Sequence, residues 1–320
     1  MEKFLQKNNK SVLNNLTDSD INKSIDEILL EYAEDTFGGL EDKTDNFKAI
    51  FERLKINIFA LVKELIRQLM YSDFIPVDFE LSIGDDGEIP AYKIPIDSER
   101  SVSVRGFIDR VDIYDKNDNE SYIRIVDYKT GNKVFKLYEI FYGINLQMLL
   151  YLRCVSKNGK EYFKKDLIPA GVLYMPSAVK DIDGDKYTTE DKIASQLDQN
   201  FRMNGLVLND AEVIEHMDKL GKFIKLSKKT QDGMYSDTVA SFEQFQQIFK
   251  HLDYTVRKMA EELLSGNIQA NPVKGAVDGC AYCPYDSVCC HTYDDDYKFI
   301  KDLTPKELYK EIEKGDEQGG

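Results

Sequence analysis

The sequence predicts an α/β fold in which a mixed sheet is flanked by helices, and three features carry this prediction. Residues 102–114 and 122–129 are rich in β-branched and aromatic side chains, and the turn formers between them are typical of a β-hairpin. Residues 167–175 (LIPAGVLYM) form an apolar run that suits a buried strand. Residues 46–70 and 241–265 carry apolar side chains at helical spacing, so amphipathic helices are expected to accompany the strands.

Capping signals predict where two of the helices begin. Thr17 precedes an apolar helical pattern over residues 21–33, and Asp20 completes a capping box. Ser241 and Gln244 form the same signature at the start of the later helix, which Gly266 ends. A further strand is predicted over residues 76–83, and it carries Glu80. This carboxylate could lean toward a metal site, although a carboxylate on a strand is usually solvated.

Length and composition limit the class of protein. The 320 residues are 42% hydrophobic, which is enough for a sizeable core in one large domain or two small ones. No run is long and apolar enough to span a membrane, and no signal peptide opens the chain. We therefore expect a cytoplasmic protein without membrane partners.

The charge balance is strongly acidic. The net charge of −15 argues against a broad basic surface for nucleic acid, because phosphate contacts need Lys and Arg. Residues 222–229 hold Lys222, Lys225, Lys228 and Lys229, which could contact a DNA backbone, although such a run is more often a solvated face. Any binding of DNA then needs metal ions, local lysines or a partner subunit.

The predicted hairpin brings acidic residues together. If its turn is centred near Asp118, Asp109 lies opposite Asp127 across the ladder. Side chains alternate along a strand, so Lys129 shares a face with Asp127, whereas Asp112 faces away from Asp109. Two carboxylates and an ammonium group are expected on one patch.

This patch suits phosphodiester hydrolysis. Carboxylate oxygens are preferred by Mg²⁺, and a divalent ion held there would polarise a phosphate and acidify a water molecule. Lys129 would then stabilise the charge that builds on the phosphate. The triplet of an acidic residue, any residue and a lysine is also common on solvated surfaces, as at residues 41–43. The triplet at residues 127–129 differs because an apolar strand precedes it.

A helix is predicted over residues 136–154, and Gln147 and Tyr151 fall one turn apart on one face of it. A glutamine and a tyrosine after the acidic strand could steady a substrate strand. Taken alone, such a pair is most often ordinary helix surface.

The second chemical signal is a cysteine-rich segment. Cys280, Cys283, Cys289 and Cys290 lie within one short stretch, and His291 follows. In a cytoplasmic chain these are metal ligands rather than disulfides, either of zinc or of an iron–sulfur cluster. Cys154, on an apolar helix face, reads as an ordinary buried cysteine.

The motifs GFIDRVD, IVDYKTG and QMLLY, in this order and spacing, resemble the nuclease core of the PD-(D/E)XK superfamily in its RecB-type branch. The resemblance implies that Asp109 and Asp127 are metal ligands for Mg²⁺ or Mn²⁺ and that the Tyr128 carbonyl is a third ligand. It also implies that Lys129 is the catalytic lysine and that Gln147 and Tyr151 form the family's glutamine–tyrosine motif.

The C-x₂-C-x₅-C spacing and the phrases PAGVLYM, MNGLVL and LTPKELYKEIEKG resemble the AddB family of helicase–nuclease subunits. This resemblance implies a nuclease-like domain over residues 1–275 and a cysteine-rich segment with a tail over 276–320. It implies that Cys280, Cys283 and Cys289 bind a [4Fe-4S] cluster whose fourth cysteine lies upstream. Cys290 stands where a polar or basic residue is expected.

Two features of that family are missing from this sequence: the upstream cysteine and a histidine metal ligand near the start of the fold. The histidines are His216, His251 and His291, all late. We therefore expect the chain to be the C-terminal part of such a subunit, with an incomplete cluster.

The expected function is a Mg²⁺-dependent DNA exonuclease that degrades a single strand from duplex ends, beside an AddA-like helicase–nuclease subunit. The chain has no G-x-x-x-x-G-K-[ST] loop, so any use of ATP would have to come from elsewhere. Two alternatives stay open: a structural module whose acidic pair binds no catalytic metal, and a zinc-stapled module that binds nucleic acid or protein.

Overall fold

The computed structural model describes residues 4, 13, 15–131, 133–178, 189–227, 236–292 and 294–318. The helices within these residues are α1 (Asp18–Phe37), α2 (Asp45–Met70), α3 (Leu137–Phe141), α4 (Gln147–Asn158), α5 (Lys160–Phe163), α6 (Glu190–Asn200), α7 (Ala211–Met217), α8 (Phe242–Leu264), α9 (Asp286–Cys289) and α10 (Pro305–Gln318). The strands are β1 (Ile75–Ile83), β2 (Tyr92–Pro95), β3 (Ser101–Val104), β4 (Gly106–Asp115), β5 (Glu120–Lys129), β6 (Asp166–Pro176), β7 (Asn204–Leu208), β8 (Val239–Ala240), β9 (Val273–Gly275) and β10 (Lys298–Ile300).

A mixed sheet lies at the centre of the described chain, in the strand order β1-β4-β5-β6-β7-β8. β4 runs antiparallel to β1 and β5, whereas β5 and β6 are parallel. The helix α4 packs on β5 and β6, and the apolar faces of these elements share one core. The predicted α/β fold, a mixed sheet with flanking helices, is confirmed. No helix of the described residues has the length and apolar character to cross a bilayer.

The register of the β4–β5 hairpin is the predicted one. Arg110 pairs with Val126 and Asp115 with Ser121, so the turn is centred at Asp118. In this register Asp109 and Asp127 are opposite one another, one step beyond the last paired residues. The capping boxes of Thr17 with Asp20 and of Ser241 with Gln244 are also confirmed.

Two predicted elements are each divided in the structure. Residues 102–114 form two strands, because the chain leaves a separate pairing of β2 with β3 at Arg105 and enters the main sheet at Gly106. The helix predicted over 136–154 is interrupted between α3 and α4, where Gly143 (φ +79°) and Asn145 (φ +56°) adopt left-handed conformations that a helix cannot include.

The described residues between β6 and β8 include regular elements although their composition is largely polar. In chain order α6 and α7 flank β7, and Asp210 caps α7 by accepting from two backbone N–H groups. The short helix α7 packs beside the buried strand β7, and such tertiary contacts can override weak local propensity.

The C-terminal residues pack on the rest of the protein. β9 pairs in parallel with β10, and α10 contacts α8 and α3. Leu308, Tyr309 and Ile312 are buried in the common core. The division at residue 275 stays a prediction.

A charged network is buried on one face of the β4–β5 hairpin. Asp112 is fully buried, and its carboxylate pairs with Arg110 Nε at 2.8 Å and with Arg124 Nε at 2.9 Å. The Arg124 guanidinium lies over the ring of Phe74, and Arg110 Nη1 donates to Tyr128 Oη at 2.8 Å. Asp112 points away from Asp109, as predicted, and neutralises two cations that could not otherwise be buried.

We expect Asp112→Asn to destabilise the protein by about 3–5 kcal/mol, because it leaves two buried guanidinium groups without a counter-ion. Chemical denaturation followed by circular dichroism measures this change. The matched control is Asp115→Asn on the same strand, whose partner Lys165 forms an exposed ion pair with it, and its expected cost is below about 1 kcal/mol. Equal costs for the two variants would contradict this account of the network.

Candidate active site

The site lies on the other face of the hairpin, where β4 and β5 separate. Lys129 Nζ forms an ion pair with Asp127 Oδ2 at 2.5 Å. Asp127 is buried and Lys129 is one-third exposed, so the pair sits at the edge of the core. Lys129 Nζ also lies 5.7 Å from the centre of the Tyr174 ring. The structure therefore brings together the carboxylate and the ammonium group that the sequence predicted.

Asp109 is joined to this pair through the backbone of β5. Its Oδ2 accepts a hydrogen bond from the Tyr128 N–H at 2.8 Å, just beyond the last backbone pair of the ladder. The Tyr128 side chain points to the opposite face and accepts from Arg110. Tyr128 is thus held from both faces of the sheet. These bonds also fix the position of its carbonyl, which the family resemblance implies is a metal ligand.

Asp127 is a buried carboxylate with a second carboxylate close by. Burial raises its pKa above the ordinary value, and the charge of Asp109 raises it further, whereas Lys129 and Lys133 oppose this shift. Burial, with the charges of Asp127 and Glu139, raises the pKa of Tyr174 to about 12. The site therefore holds more negative charge than its cations balance.

Gln147 and Tyr151 lie together on α4, as predicted. Gln147 Nε2 donates to Tyr151 Oη at 3.3 Å, with Gln147 exposed and Tyr151 buried. The tyrosine packs on Gly106 at the start of β4, so closely that a Cβ atom at this position would overlap Tyr151 Oη. Glycine at position 106 is what allows α4 to bring this pair against the strand that carries Asp109.

Glu139 is a buried carboxylate that the sequence analysis missed. It accepts a hydrogen bond from Asn145 Nδ2, and its charge acts on Tyr174. In the sequence it belonged to an apparently continuous helix. The break at Gly143 and Asn145 separates the short helix that carries Glu139 from α4. Because the sequence did not predict this break, it did not predict the position of Glu139.

Glu80 is level with Asp109 in the neighbouring strand, because β1 pairs Phe79 with Arg110 and Leu81 with Ile108. Its side chain is exposed and its backbone is left-handed, with φ +52°. Among the described residues, no group of three or more His, Cys, Asp or Glu side chains could hold a metal ion. Glu80 therefore does not complete such a group with Asp109 and Asp127.

The donor atoms of the acidic pair fit a hard divalent cation. Asp127 Oδ2 is buried, and apart from its ion pair with Lys129 no described N–H or O–H group meets it in hydrogen-bond geometry. Carboxylate and carbonyl oxygens are the ligands that Mg²⁺ prefers, and it commonly retains several waters beside one or two carboxylates. Asp109, Asp127 and the Tyr128 carbonyl could hold such an ion.

The cysteine segment has a different character. Its four cysteines form no disulfide and are half-buried or exposed. Cys280 and Cys283 lie in a turn, Cys289 is the last residue of the short helix α9, and Cys290 follows it. Within the described residues the four cysteines form no metal-binding group. Cys154 is fully buried, as predicted, and burial raises the pKa of its thiol to about 11.

The raised pKa of Asp127 predicts that Asp127→Asn stabilises the protein near neutral pH. A carboxyl whose folded-state pKa lies above its unfolded value favours folding only while protonated, and this contribution is lost as the pH rises through the folded-state pKa. The melting temperature of the variant should exceed that of the parent at pH 7.5, and the difference should shrink toward pH 4. A variant that melts lower at pH 7.5 would show that the Lys129 ion pair outweighs the desolvation of Asp127.

Comparisons with known proteins show which sequences this chain is similar to. A family model described as the PD-(D/E)XK nuclease superfamily matches residues 1–290. The chain is also similar to the B subunits of three ATP-dependent helicase/deoxyribonucleases. The one from Thermoanaerobacter pseudethanolicus is 34% identical over 271 residues, covering 82% of this chain and 23% of the relative.

The similar protein from Clostridium novyi is 31% identical over 303 residues, covering 92% of this chain and 27% of the relative. That from Clostridium acetobutylicum is 31% identical over 319 residues, covering 96% and 28%. The chain thus spans about a quarter of the length of the curated relatives that it matches, and the predicted resemblance to these subunits is confirmed. By the match over most of its length, the chain belongs to the PD-(D/E)XK nuclease superfamily.

Proposed function

We propose that this chain is the metal-dependent exonuclease part of a helicase–nuclease that processes double-strand breaks, and that it hydrolyses phosphodiesters of a DNA strand released from duplex ends. The observation that carries the proposal is the joining of Asp109, Asp127 and Lys129 around the end of β5. Membership of the nuclease superfamily supports the same chemistry.

Each residue of the site has a proposed role. Asp109, Asp127 and the Tyr128 carbonyl would hold a Mg²⁺ or Mn²⁺ ion, which would supply Lewis-acid polarisation of the scissile phosphate when bound. Lys129 keeps a positive charge beside Asp127, where it stabilises the negative charge that grows on the phosphate. Water attacks phosphorus, one P–O ester bond breaks, and the products carry a phosphate and a hydroxyl terminus.

The glutamine–tyrosine pair is proposed to orient the DNA strand. Gln147 is exposed beside the site face, and Tyr151 holds it through a hydrogen bond while packing on Gly106. An exposed amide backed by a buried tyrosine is a fixed donor and acceptor for a phosphate or a sugar. The pair then acts by positioning rather than by proton transfer.

The proposed partners are DNA and an AddA-like helicase–nuclease subunit. The relatives bear names that describe subunits of an ATP-dependent helicase and deoxyribonuclease. The acidity of this chain, with net charge −15, also favours a partner that contributes positive surface to hold DNA.

The test is degradation of labelled linear DNA with Mg²⁺ or Mn²⁺. We expect Asp109→Ala, Asp127→Ala and Lys129→Ala each to lower the rate by about 10²–10³-fold or more, the usual loss when transition-state charge stabilisation is removed. Asp115 lies on the same hairpin and is exposed, so Asp115→Ala serves as the control that should keep activity. Cleavage that persists in Asp127→Ala would refute the assignment.

We also propose that Cys280, Cys283 and Cys289 bind a [4Fe-4S] cluster together with a thiolate from outside these three residues. Their spacing supports this proposal, since three thiolates of one short segment need a fourth ligand. We expect metal analysis of anaerobically prepared protein containing that fourth ligand to give iron and sulfide, which Cys283→Ser removes and Cys290→Ser does not. One zinc per chain and no iron would contradict the cluster.

A further inference from the structure

A cleft of about 510 Å³ opens next to the candidate active site. Pro176, which lines it, ends β6 and pairs with Lys129 at the end of β5, and Gly131 follows two residues later. The cleft therefore begins at the same edge of the sheet as Asp127 and Lys129, and it extends toward β7 and the C-terminal end of α6.

The cleft concentrates positive charge in an acidic protein. Its described lining includes the cations Lys133, Arg202 and Lys225 and the amides Gln199, Asn200 and Asn204, but no carboxylate. The whole chain carries a net charge of −15, so a pocket of this composition differs sharply from the average surface. The charge of Lys133 also reaches the active site, where it opposes the rise in the pKa of Asp127.

The segments that carry these cations are fixed by hydrogen bonds to the sheet. Asn204 on β7 donates to the Lys133 carbonyl at 3.1 Å and accepts from the Phe135 N–H at 2.7 Å. The Lys225 N–H donates to the Met203 carbonyl at 2.8 Å, and Arg202 Nη2 donates to the Ile224 carbonyl at 3.1 Å. The backbones are preorganised, while the ammonium groups of Lys133 and Lys225 extend from half-buried and exposed side chains.

The composition of the lining selects the ligand chemistry. Lysine, arginine and amide side chains contact phosphate and sugar oxygens, and such contacts carry no base specificity. Single-stranded sites that grip the bases use aromatic stacking, but no described residue of this lining is aromatic. The cleft is therefore suited to a polynucleotide backbone rather than to its bases.

We propose that this cleft binds backbone phosphates of the DNA strand that the Asp109–Asp127 pair cleaves, holding the strand beside the scissile bond without regard to sequence. The proposal rests on the proposed function, because it takes its substrate from that function. Within it, Lys133 and Lys225 bind substrate, and Asn204 is a positioning residue that fixes the Lys133 segment.

The experiment measures binding of fluorescent single-stranded oligo(dT) and oligo(dA) to the full chain by anisotropy, in EDTA and over a range of salt concentrations. We expect Lys133→Glu/Lys225→Glu to weaken binding of both oligonucleotides at least about tenfold and to lower the log–log salt slope by about 0.7 for each phosphate that is no longer neutralised. Arg202 is left unchanged because its guanidinium also supports the loop at Ile224.

The matched control is Lys93→Glu/Lys157→Glu, which makes the same charge change at two exposed lysines outside the cleft. Equal weakening by the two double variants, or a parent chain that binds neither oligonucleotide, would overturn the cleft assignment. An effect on only one oligonucleotide would overturn the backbone recognition.

Cleavage assays separate this proposal from the proposed function. If the parent degrades DNA and the cleft variant binds and degrades it equally well, the cleft assignment is wrong and the nuclease stands. If the parent never cleaves but binding still depends on Lys133 and Lys225, the cleft stands and the nuclease assignment fails. Thermal melting of both double variants checks that these charge changes leave the fold intact.

Discussion

The double attachment of Tyr128 is the interaction on which the site depends. Its N–H donates to the Asp109 carboxylate on one face of the sheet, and its hydroxyl accepts from Arg110 on the other. The first bond continues the β4–β5 ladder beyond the last backbone pair, so a side chain replaces a missing strand partner. Because successive side chains alternate between faces, a shift of β4 by one residue would move Asp109 to the face opposite Asp127 and would take Asp112 away from Arg124.

The carboxylates on the two faces of this hairpin differ in how their charge is compensated. Asp112 is fully buried, and two guanidinium groups compensate its charge, so it stabilises the scaffold. Asp127 forms an ion pair with Lys129 and has Asp109 as an acidic neighbour, and burial raises its pKa. A buried carboxylate with a raised pKa is costly for folding but can bind a cation, and the ion-paired network on the opposite face belongs to the scaffold that holds it.

Local chemistry predicted the parts of this structure that neighbouring residues determine. The hairpin register followed from turn formers around Asp118, and the helix starts at Thr17 and Ser241 followed from capping boxes. The helix break at Gly143 and Asn145 was missed, because a glycine and an asparagine inside an apolar helical pattern are compatible with either outcome.

Burial of charged residues could not be predicted from the sequence. Arg110 and Arg124 belong to a residue type that is rarely fully buried. Arg110 pairs with Asp112 of its own strand and donates to Tyr128 of β5. Arg124 pairs with Asp112 across the hairpin and lies over Phe74. The glutamine–tyrosine pair was predicted from its spacing on a helix. Its contact with Gly106 required the packing of α4 on the sheet, which the sequence pattern does not specify.

The net charge explains why a localised cleft suits this chain better than a broad basic surface. At physiological ionic strength, charges are screened beyond about 8 Å, so three cations within one pocket can attract a phosphate although the chain as a whole is acidic. The cations come from three separate segments, and of the lysines in 222–229 only Lys225 is among the described residues that line the cleft. If the chain acts on DNA as proposed, the acidic remainder of the surface would repel a strand that leaves this path, and the same charge imbalance that disfavours general DNA binding would direct the strand toward Asp109 and Asp127.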